Sequence, residues 1–331
     1  MTDTLFYWQA VNLALDHALA EDPNVFIMGE DVGLYGGTYR ATENLMAKYG
    51  EMRVRDTPIS ENSFTGLGVG AAMTGLRPVI EIMTANFALL ALDSIINLAA
   101  KIPFMSGGQF PVPLTIRMPQ GVAKQLGAQH SQRLEHTLMN VPGLRIAVPF
   151  TPHDAYHQIR QAIRSDDPII ILEHDLLYFS KGPVDPSQAP IPMHQAVVRQ
   201  EGTDITCISY SLMVGEALKA AQELQQDGIS MEVIDLRSLS PIDWNCLEQS
   251  VQKTHHVLIA EEDSRYAGAG AELAATLQER CFYTLDAPIA RTAGLDIPIP
   301  FNAELEQASI PHANDIARAA RTILLQRSQK S

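Results

Sequence analysis

The residues best placed for chemistry lie in one acidic turn, residues 56–64, with the sequence DTPISENSF. Pro58 ends an extended run, and Ser60 is a candidate N-cap for the apolar, glycine-rich helix that follows. Glu61 then lies in the first turn of that helix, where the helix dipole favours its ionised form. A carboxylate at a helix start is common and usually structural. Beside apolar surface, however, a glutamate can share a proton with a ring nitrogen of a bound heterocycle, because burial favours its neutral form.

A second candidate is His130, in the polar segment AQHSQ at residues 128–132. A lone histidine in such a loop is more often a hydrogen-bonding surface residue, although its imidazole suits proton transfer near neutral pH. The adjacent pairs HH at residues 255–256 and EE at residues 261–262 suit metal binding poorly, because neighbours on an extended segment point to opposite faces. We therefore predict no metal site at these pairs.

Two glycine-rich segments, residues 66–70 and 268–270, resemble nucleotide-binding loops only in part. Both lack the third glycine of the G-x-G-x-x-G fingerprint at the required spacing, and the chain has no Walker loop. We predict instead that small residues let two helices approach closely near the first segment, at Gly66, Gly70, Ala71 and Gly75. The second segment is predicted to be a helix start with close backbone packing. Both predictions disfavour a flavin or nicotinamide enzyme.

The elements around these residues alternate between short β-branched runs and helical runs. The predicted strands are residues 25–28, 78–82, 114–117, 145–148, 169–172, 205–209, 231–235, 257–260 and 289–292. The predicted helices are residues 5–19, 87–101, 153–164, 214–226, 243–251, 270–280 and 315–326. Near-continuous apolar strands separated by helices predict an α/β fold with mostly parallel sheets that are flanked by helices. Four prolines within residues 181–192 predict a linker between two domains, because proline disfavours both helix and central strand.

Length and composition limit the function classes. A chain of 331 residues fits about two domains. The net charge of −14 argues against binding to nucleic acid or to anionic membranes. Charged residues make up 19%, against about 25% in ordinary domains, which favours a surface covered by a partner. The N-terminus shows neither a signal nor a transit peptide, and the three distant cysteines fit a reducing compartment, so we expect a cytoplasmic protein.

Several longer segments resemble one protein family. They are residues 29–37 (GEDVGLYGG), 56–79 (DTPISENSFTGLGVGAAMTGLRPV), 83–87 (MTANF), 105–113 (MSGGQFPVP), 128–132 (AQHSQ) and 232–243 (EVIDLRSLSPID). In this order they resemble the beta subunit of the pyruvate dehydrogenase first component, of the bacterial, cyanobacterial or plastid-like heterotetrameric type. That family comprises thiamine-diphosphate-dependent 2-oxo acid dehydrogenases.

The resemblance implies a domain plan and a set of site residues. Residues 1–180 would form a transketolase-like pyrimidine-binding domain, residues 181–195 a proline-rich linker, and residues 196–331 a transketolase C-terminal-like domain. In the family, the glutamate matching Glu61 hydrogen-bonds the aminopyrimidine ring of thiamine diphosphate. The aromatic residue matching Phe87 packs on that ring, and Met83 would lie on the same wall. The histidine matching His130 would orient or protonate the substrate-derived intermediate and receive the lipoyl arm.

The resemblance also implies a structural potassium site that some family members hold through backbone carbonyls. The matching positions are Leu114, Ala162, Ile163, Ser165 and Asp167. Ser165 and Asp167 depart from the acidic and amide pair expected in some relatives. An ordinary helix C-terminus followed by a turn is the alternative explanation for this segment.

Half of the expected cofactor site is missing from the sequence. The chain contains no Gly-Asp-Gly motif, with which thiamine enzymes usually hold the diphosphate and its magnesium ion. The resemblance therefore implies that an alpha subunit supplies this half, within a heterotetramer of two alpha and two beta subunits.

The implied activity is that of pyruvate dehydrogenase (acetyl-transferring). Pyruvate would be decarboxylated, and the lipoyl domain of a dihydrolipoyl acetyltransferase core would be acetylated, which feeds acetyl-CoA formation. The alternatives are a beta subunit of an acetoin or branched-chain 2-oxo acid dehydrogenase, and a non-catalytic assembly subunit. The presence of both Glu61 and His130 argues against the last of these.

Overall fold

The computed structural model describes residues 3–328, which divide into two compact units. The first unit ends at Gln120 and resumes over Thr137–Met193. The second unit is formed by Gly121–His136 and by the chain from His194 onward. The proline-rich segment predicts that the chain passes once from the first domain to the second. The observed contacts differ, because they also assign residues 121–136 to the second unit. Local composition does not reveal this, because the assignment depends on contacts between residues far apart in the chain.

The first unit is built on a parallel sheet with helices around it. Its strands are β1 (Asp3–Phe6), β2 (Val25–Gly29), β3 (Val54–Asp56), β4 (Arg77–Glu81), β5 (Thr115–Gln120), β6 (Arg145–Ala147), β7 (Ile169–His174) and β8 (Lys181–Val184). Its helices are α1 (Tyr7–Glu21), α2 (Leu45–Tyr49), α3 (Glu61–Met73), α4 (Ile102–Met105), α5 (Glu135–Met139), which begins in the second unit, and α6 (Pro152–Arg164). Six strands lie in the parallel order β6–β7–β5–β4–β2–β3. Every residue of β5 and β7 is buried, as expected for a sheet covered on both faces.

The second unit has its own five-stranded sheet. The strands of this unit are β9 (Val197–Gln200), β10 (Ile205–Ser209), β11 (Met231–Asp235), β12 (Ser238–Ser240), β13 (Val257–Ser264) and β14 (Ala290–Gly294), and all of them except β12 belong to this sheet. Its helices are α7 (Leu212–Gln226), α8 (Trp244–Thr254), α9 (Ala269–Cys281), α10 (Ala303–Ala308) and α11 (Ala313–Ser328). The order is β14–β13–β10–β11–β9, and only β9 is antiparallel to its neighbour. The predicted two-domain α/β fold with mostly parallel sheets is confirmed.

The predicted continuous helix over residues 87–101 is wrong. The chain forms a 3-10 helix over Ala85–Ala91 and a π-helix over Asp93–Ala99 before the short α4 begins. Ser94 donates a hydrogen bond to the backbone oxygen of Asn62 at 3.1 Å and to its side-chain oxygen at 2.7 Å, which ties this segment to α3. An apolar run indicates burial but does not distinguish these helix types.

The proline-rich segment also contains a strand. Residues Lys181–Val184 form β8, which pairs with β1 in an antiparallel ribbon, with Pro183 opposite Thr4. Proline is tolerated in such a two-stranded ribbon, because each strand has a free edge and the missing N–H can face away from the partner.

No single helix within residues 3–328 is long and apolar enough to span a membrane. One bent pair, Ala85–Ala91 with Asp93–Met105, meets the length and composition test when taken together.

Candidate active site

Glu61 is the first residue of α3, and its side chain is buried, with only 3% of the residue exposed. Ser60 occupies the N-cap position, but its hydroxyl donates to Ser63 Oγ at 2.7 Å and caps no backbone N–H. The structure gives the Glu61 carboxylate no hydrogen-bond partner among the residues it describes. A buried carboxylate at a helix N-terminus with free acceptor capacity is suited to a donor from outside the chain.

The strand order brings several acidic side chains to the edge of the sheet where Glu61 lies. Strands β2 and β3 are parallel neighbours, so the residues that follow them lie at the same edge. Glu30 comes directly after β2, and Asp56 ends β3. The Asp56 carboxylate accepts hydrogen bonds from the backbone N–H of Gly33 at 2.5 Å and of Leu34 at 3.1 Å. These bonds fix the loop of residues 29–37 at the carboxyl end of the sheet.

Glu30 is a site residue that sequence reasoning missed. It is buried, and its Oε1 has no hydrogen-bond partner among the described residues. Burial, and then the negative charges of Glu61 and Asp31, raise the pKa of Glu30 to about 7. Glu30 therefore exchanges its proton near neutral pH, close to the Glu61 carboxylate. The sequence signal was an acidic pair directly after a buried strand.

Met83 and Phe87 lie beside the helix that begins with Glu61. Met83 follows β4, and Phe87 belongs to the 3-10 helix Ala85–Ala91, which packs against α3. Both side chains are half-buried. Strand β4, which ends two residues before Met83, and the 3-10 helix that carries Phe87 both pack against α3.

His130 belongs to the second unit, in the 3-10 turn Ala128–His130. The residue is half-buried, and its backbone N–H donates to the carbonyl of Gly127 at 3.3 Å. Glu61, Met83 and Phe87 belong to the first unit.

A buried charge network joins three neighbouring strands of the first unit's sheet, β4, β5 and β7. Arg117 on β5 is fully buried and forms a bidentate pair with Glu173, at 2.7 and 2.8 Å. Its third nitrogen donates to Glu81 at the end of β4. A Cβ at Gly37 would lie 3.3 Å from Glu81 Oε1, so the network also supports the loop of residues 29–37. The sequence signal was a charged residue within or at the end of each apolar strand.

Four of the five positions implied for potassium present backbone oxygens around the C-terminus of α6. Arg77 Nη1 donates to the carbonyls of Ile163 at 3.1 Å and of Ser165 at 2.9 Å. The carbonyl of Ala162 accepts from the Ser165 N–H at 3.1 Å, and that of Leu114 accepts from Ile169 at 2.9 Å. Each carbonyl keeps a second lone pair, and a helix C-terminus favours positive charge.

The fifth potassium position, Asp167, is engaged elsewhere, because its carboxylate pairs with Arg145 at 2.6 Å. The backbone oxygens therefore remain compatible with a large cation, while the side chain of Asp167 is not a free ligand. Among residues 3–328, no group of three or more His, Cys, Asp or Glu side chains could hold a metal ion.

Close packing explains the second glycine-rich segment. Gly270 donates its N–H to Glu261 Oε2 at 2.7 Å, and a Cβ there would lie 2.4 Å from Glu261 Oε1. In the first segment, a Cβ at Gly68 would lie 2.9 Å from Ile80. A Cβ at Gly66 would lie 3.2 Å from Ser94 Oγ, whereas Gly70 and Gly75 face open space. The predicted close approach is therefore wrong at Gly70 and Gly75, and the close backbone packing predicted for the second segment is found at Gly270.

Comparison with known proteins shows which protein families this chain is similar to. A family model described as the transketolase pyrimidine-binding domain matches residues 3–180, and one described as the transketolase C-terminal domain matches residues 194–316. The mitochondrial pyruvate dehydrogenase E1 component subunit beta-2 of Oryza sativa subsp. japonica is 46% identical over 317 residues, which covers 95% of this chain and 84% of that protein.

Two further matches cover nearly the whole chain. The pyruvate dehydrogenase E1 component subunit beta of Porphyra purpurea is 45% identical over 320 residues, with 97% of both chains covered. Among solved structures, a split-gene transketolase described as an inactive beta4 tetramer has a TM-score of 0.79 and 25% identity, covering 97% of this chain and 98% of that chain.

Proposed function

Since this chain belongs to the family of pyruvate dehydrogenase E1 beta subunits, we propose that it performs, with an alpha subunit, the acetyl-transferring pyruvate dehydrogenase reaction. Pyruvate is decarboxylated, the lipoyl group of dihydrolipoyl acetyltransferase is reductively acetylated, and acetyl-CoA formation follows. The observation that supports this most strongly is the identity of 45% with a pyruvate dehydrogenase beta subunit along 97% of the chain.

Glu61 holds the pyrimidine end of thiamine diphosphate in this proposal. Its carboxylate is buried at the start of α3 without a partner in the described chain, so it can exchange a proton with a ring nitrogen. Glu30, with a pKa of about 7, keeps a second exchangeable proton nearby. Met83 and Phe87 supply apolar contact to the ring. The cofactor, when bound, supplies the electron sink for the loss of carbon dioxide.

His130 is proposed as the group that orients or protonates the substrate-derived intermediate and meets the lipoyl arm. Its imidazole is half-buried in a short turn, so part of it is accessible to a partner. Imidazole titrates near neutral pH, which suits proton transfer in both directions.

The alpha subunit is proposed to hold the diphosphate and its magnesium ion. This chain lacks the Gly-Asp-Gly motif, and its described residues contain no cluster of metal-binding side chains. An apolar cavity of about 690 Å³ lies beside the turn that precedes Glu61, lined by Phe26, Met28, Pro58 and Leu67 among others. Such exposed apolar surface is typical of a protein interface, which supports assembly into a heterotetramer of two alpha and two beta subunits.

Potassium is proposed at the carbonyls of Leu114, Ala162, Ile163 and Ser165. The Arg77 guanidinium already supplies positive charge there, so we expect weak binding. Thermal unfolding of the complex in potassium chloride and in lithium chloride tests this. Equal unfolding temperatures would contradict a potassium site.

A cytoplasmic location in a bacterium is proposed from the cysteines. Cys207, Cys246 and Cys281 are all unpaired, as expected in a reducing compartment. The relatives include mitochondrial subunits, so fractionation of the source cells distinguishes the two locations.

The substrate assignment is tested with the reconstituted alpha–beta complex. Turnover is measured with pyruvate, 2-oxoisovalerate and acetoin, in the presence of the lipoyl domain. We expect kcat/KM to be highest for pyruvate. A preference for 2-oxoisovalerate or acetoin would assign the chain to the branched-chain or the acetoin enzyme instead. No turnover of any of the three would favour an assembly subunit.

A further inference from the structure

A buried polar cluster in the second unit lies directly after His130. We call it the Asp263 cluster, and it consists of Arg133, Glu135, His136, Tyr210 and Asp263. Only 7% of Arg133, 3% of Glu135 and 2% each of Tyr210 and Asp263 are exposed. Arg133, Glu135 and His136 follow His130 within six residues, whereas Asp263 lies on β13. The cluster therefore joins the His130 segment to the central part of the second sheet.

Carboxylates bind the segment 121–136 at both ends. At its C-terminal end, His136 Nδ1 lies 2.6 Å from Asp263 Oδ2. At its start, the N–H of Val122 donates to Glu262 Oε1 at 2.8 Å. A third carboxylate, that of Glu306, accepts from the N–H of Gln125 at 2.8 Å. His130 lies between these attachments, so its position depends on them.

Several buried polar groups inside the cluster have no partner at hydrogen-bond distance among the residues that the structure describes. Arg133 lies 3.9 Å from Asp263 and 4.0 Å from Glu262, beyond hydrogen-bond distance. Arg133 Nε and Nη1, Glu135 Oε2 and the Tyr210 hydroxyl are buried and have no hydrogen-bond partner among residues 3–328. Unpaired buried polar groups reduce stability, and such arrangements concentrate at functional sites.

The electrostatics favour one charge arrangement. The hydrogen bond that His136 donates to the Asp263 carboxylate raises the pKa of His136, which stabilises an imidazolium–carboxylate pair. Burial, and then the negative charge of Asp263, raise the pKa of Glu135 well above its ordinary value, which favours the neutral form of this side chain. The other charged groups that face the cluster lie on β13 and β14, and they are Glu261, Glu262 and Arg291. Arg291 pairs with Glu261 at 2.8 Å.

We propose that Asp263 is a positioning residue for the transfer step: through His136, and with Arg133 beside it, it fixes segment 121–136 and thereby the orientation of His130. This inference rests on the proposed role of His130 in acetyl transfer. It assigns a function to a buried carboxylate that touches neither substrate nor cofactor. Misplacement of a reacting group by about 1 Å can cost on the order of 100-fold in rate.

The test compares Asp263→Asn with Asp235→Asn in the reconstituted complex. Asp235 is an equally buried carboxylate of the same sheet, paired with Arg199 at 2.6 Å and remote in sequence from His130. Two rates are measured, namely pyruvate decarboxylation with an artificial electron acceptor and acetylation of the lipoyl domain. We expect Asp263→Asn to lower acetylation by at least about tenfold while decarboxylation changes less than about threefold. Asp235→Asn should leave the ratio of the two rates unchanged.

The same change in both rates for both variants would show that Asp263 is only structural and would overturn the proposal. If Asp263→Asn does not assemble, His136→Ala is the second variant, because 37% of the His136 side chain is exposed and its loss disturbs packing less. It removes the bond to Asp263 and should shift the rate ratio in the same direction. An unchanged ratio would also overturn the proposal.

Hydrogen exchange separates this proposal from the proposed function. In Asp263→Asn, the amides of residues 121–136 should exchange faster than in the native complex, while those of β10 should not. If His130→Ala leaves acetylation intact, the proposed role of His130 fails. Unaltered exchange over residues 121–136 would instead refute the positioning role of Asp263 itself.

Discussion

At the scale of single residues, the proposed chemistry depends on two neighbouring carboxyl groups with different environments. Glu61 could be predicted from the sequence, because a helix start after a proline-containing turn is a local signal. Glu30 could not, because its pKa is raised first by burial and then in part by the negative charge of Glu61, which lies on the next strand–helix unit. Sequence patterns show burial of one segment at a time, whereas a pKa depends on every charge that the fold brings near.

Replacing Glu61 with Gln should lower pyruvate turnover of the alpha–beta complex by at least about 100-fold. The amide keeps the size of the side chain but cannot exchange a proton with the pyrimidine ring. Turnover is measured together with the elution volume of the complex in size-exclusion chromatography. The control is Glu51→Gln, an exposed carboxylate that should leave both unchanged. Full turnover in Glu61→Gln would exclude the proposed proton exchange.

Glu30 predicts a pH dependence of stability. Its pKa is raised in the folded state to about 7, so the folded chain binds more protons than the unfolded chain between about pH 4.5 and pH 7. The stabilisation is present below this window and is lost as the pH rises through it. We expect the native unfolding temperature to fall between about pH 5 and about pH 8 by more than that of Glu30→Gln. Parallel curves for the two proteins would contradict the assignment.

At the scale of elements, the sequence predicts the positions of buried strands well. It predicts less well which strands pair with them and which type of helix forms. The apolar strands 205–209 and 231–235 occur as predicted, because continuous burial is visible in composition. Strand β9 was missed, because its burial is only intermediate. Residues 87–101 were predicted as an ordinary helix, yet Ser94 bonds to Asn62 and the chain adopts 3-10 and then π geometry over residues 85–99. Contacts between elements decided both cases.

Helix α3 offers a matched pair of glycine substitutions. Gly68→Ala should lower the free energy of unfolding by about 1–3 kcal/mol, because the new Cβ would lie 2.9 Å from two atoms of Ile80 and 3.3 Å from Leu114. Gly70→Ala, which meets open space in the same helix, should raise it by up to about 1 kcal/mol through helix propensity. Urea unfolding measures both. Equal effects at the two positions would show that α3 does not pack on β4 as described.

At the scale of the whole molecule, the proposed function gives this chain only part of a catalytic site. Both domains could be assigned by resemblance to the family. The absence of a Gly-Asp-Gly motif from the sequence indicated the need for a partner subunit. The assignment of residues 121–136 to the second unit could not be predicted, because it depends on contacts such as the bond between Val122 and Glu262, 140 residues apart.

The chain alone, with thiamine diphosphate and magnesium, should convert no measurable pyruvate, and addition of the alpha subunit should restore turnover. The physical reason is that magnesium needs oxygen ligands, and residues 3–328 contain no group of three or more His, Cys, Asp or Glu side chains that could hold a metal ion. Carbon dioxide release is measured with each subunit separately and with both. Sustained release by this chain alone would contradict the shared site.

The participation of residues 121–136 in the second unit also affects biosynthesis. A ribosome releases this stretch long before it makes Glu262, and Val122 reaches its acceptor only after another 140 residues have been added. The second unit therefore cannot finish folding until Glu262 has been synthesised, although residues 121–136 are made much earlier. A fragment that begins at residue 194 would lack residues 121–136, which include His130, and so would not contain the whole second unit.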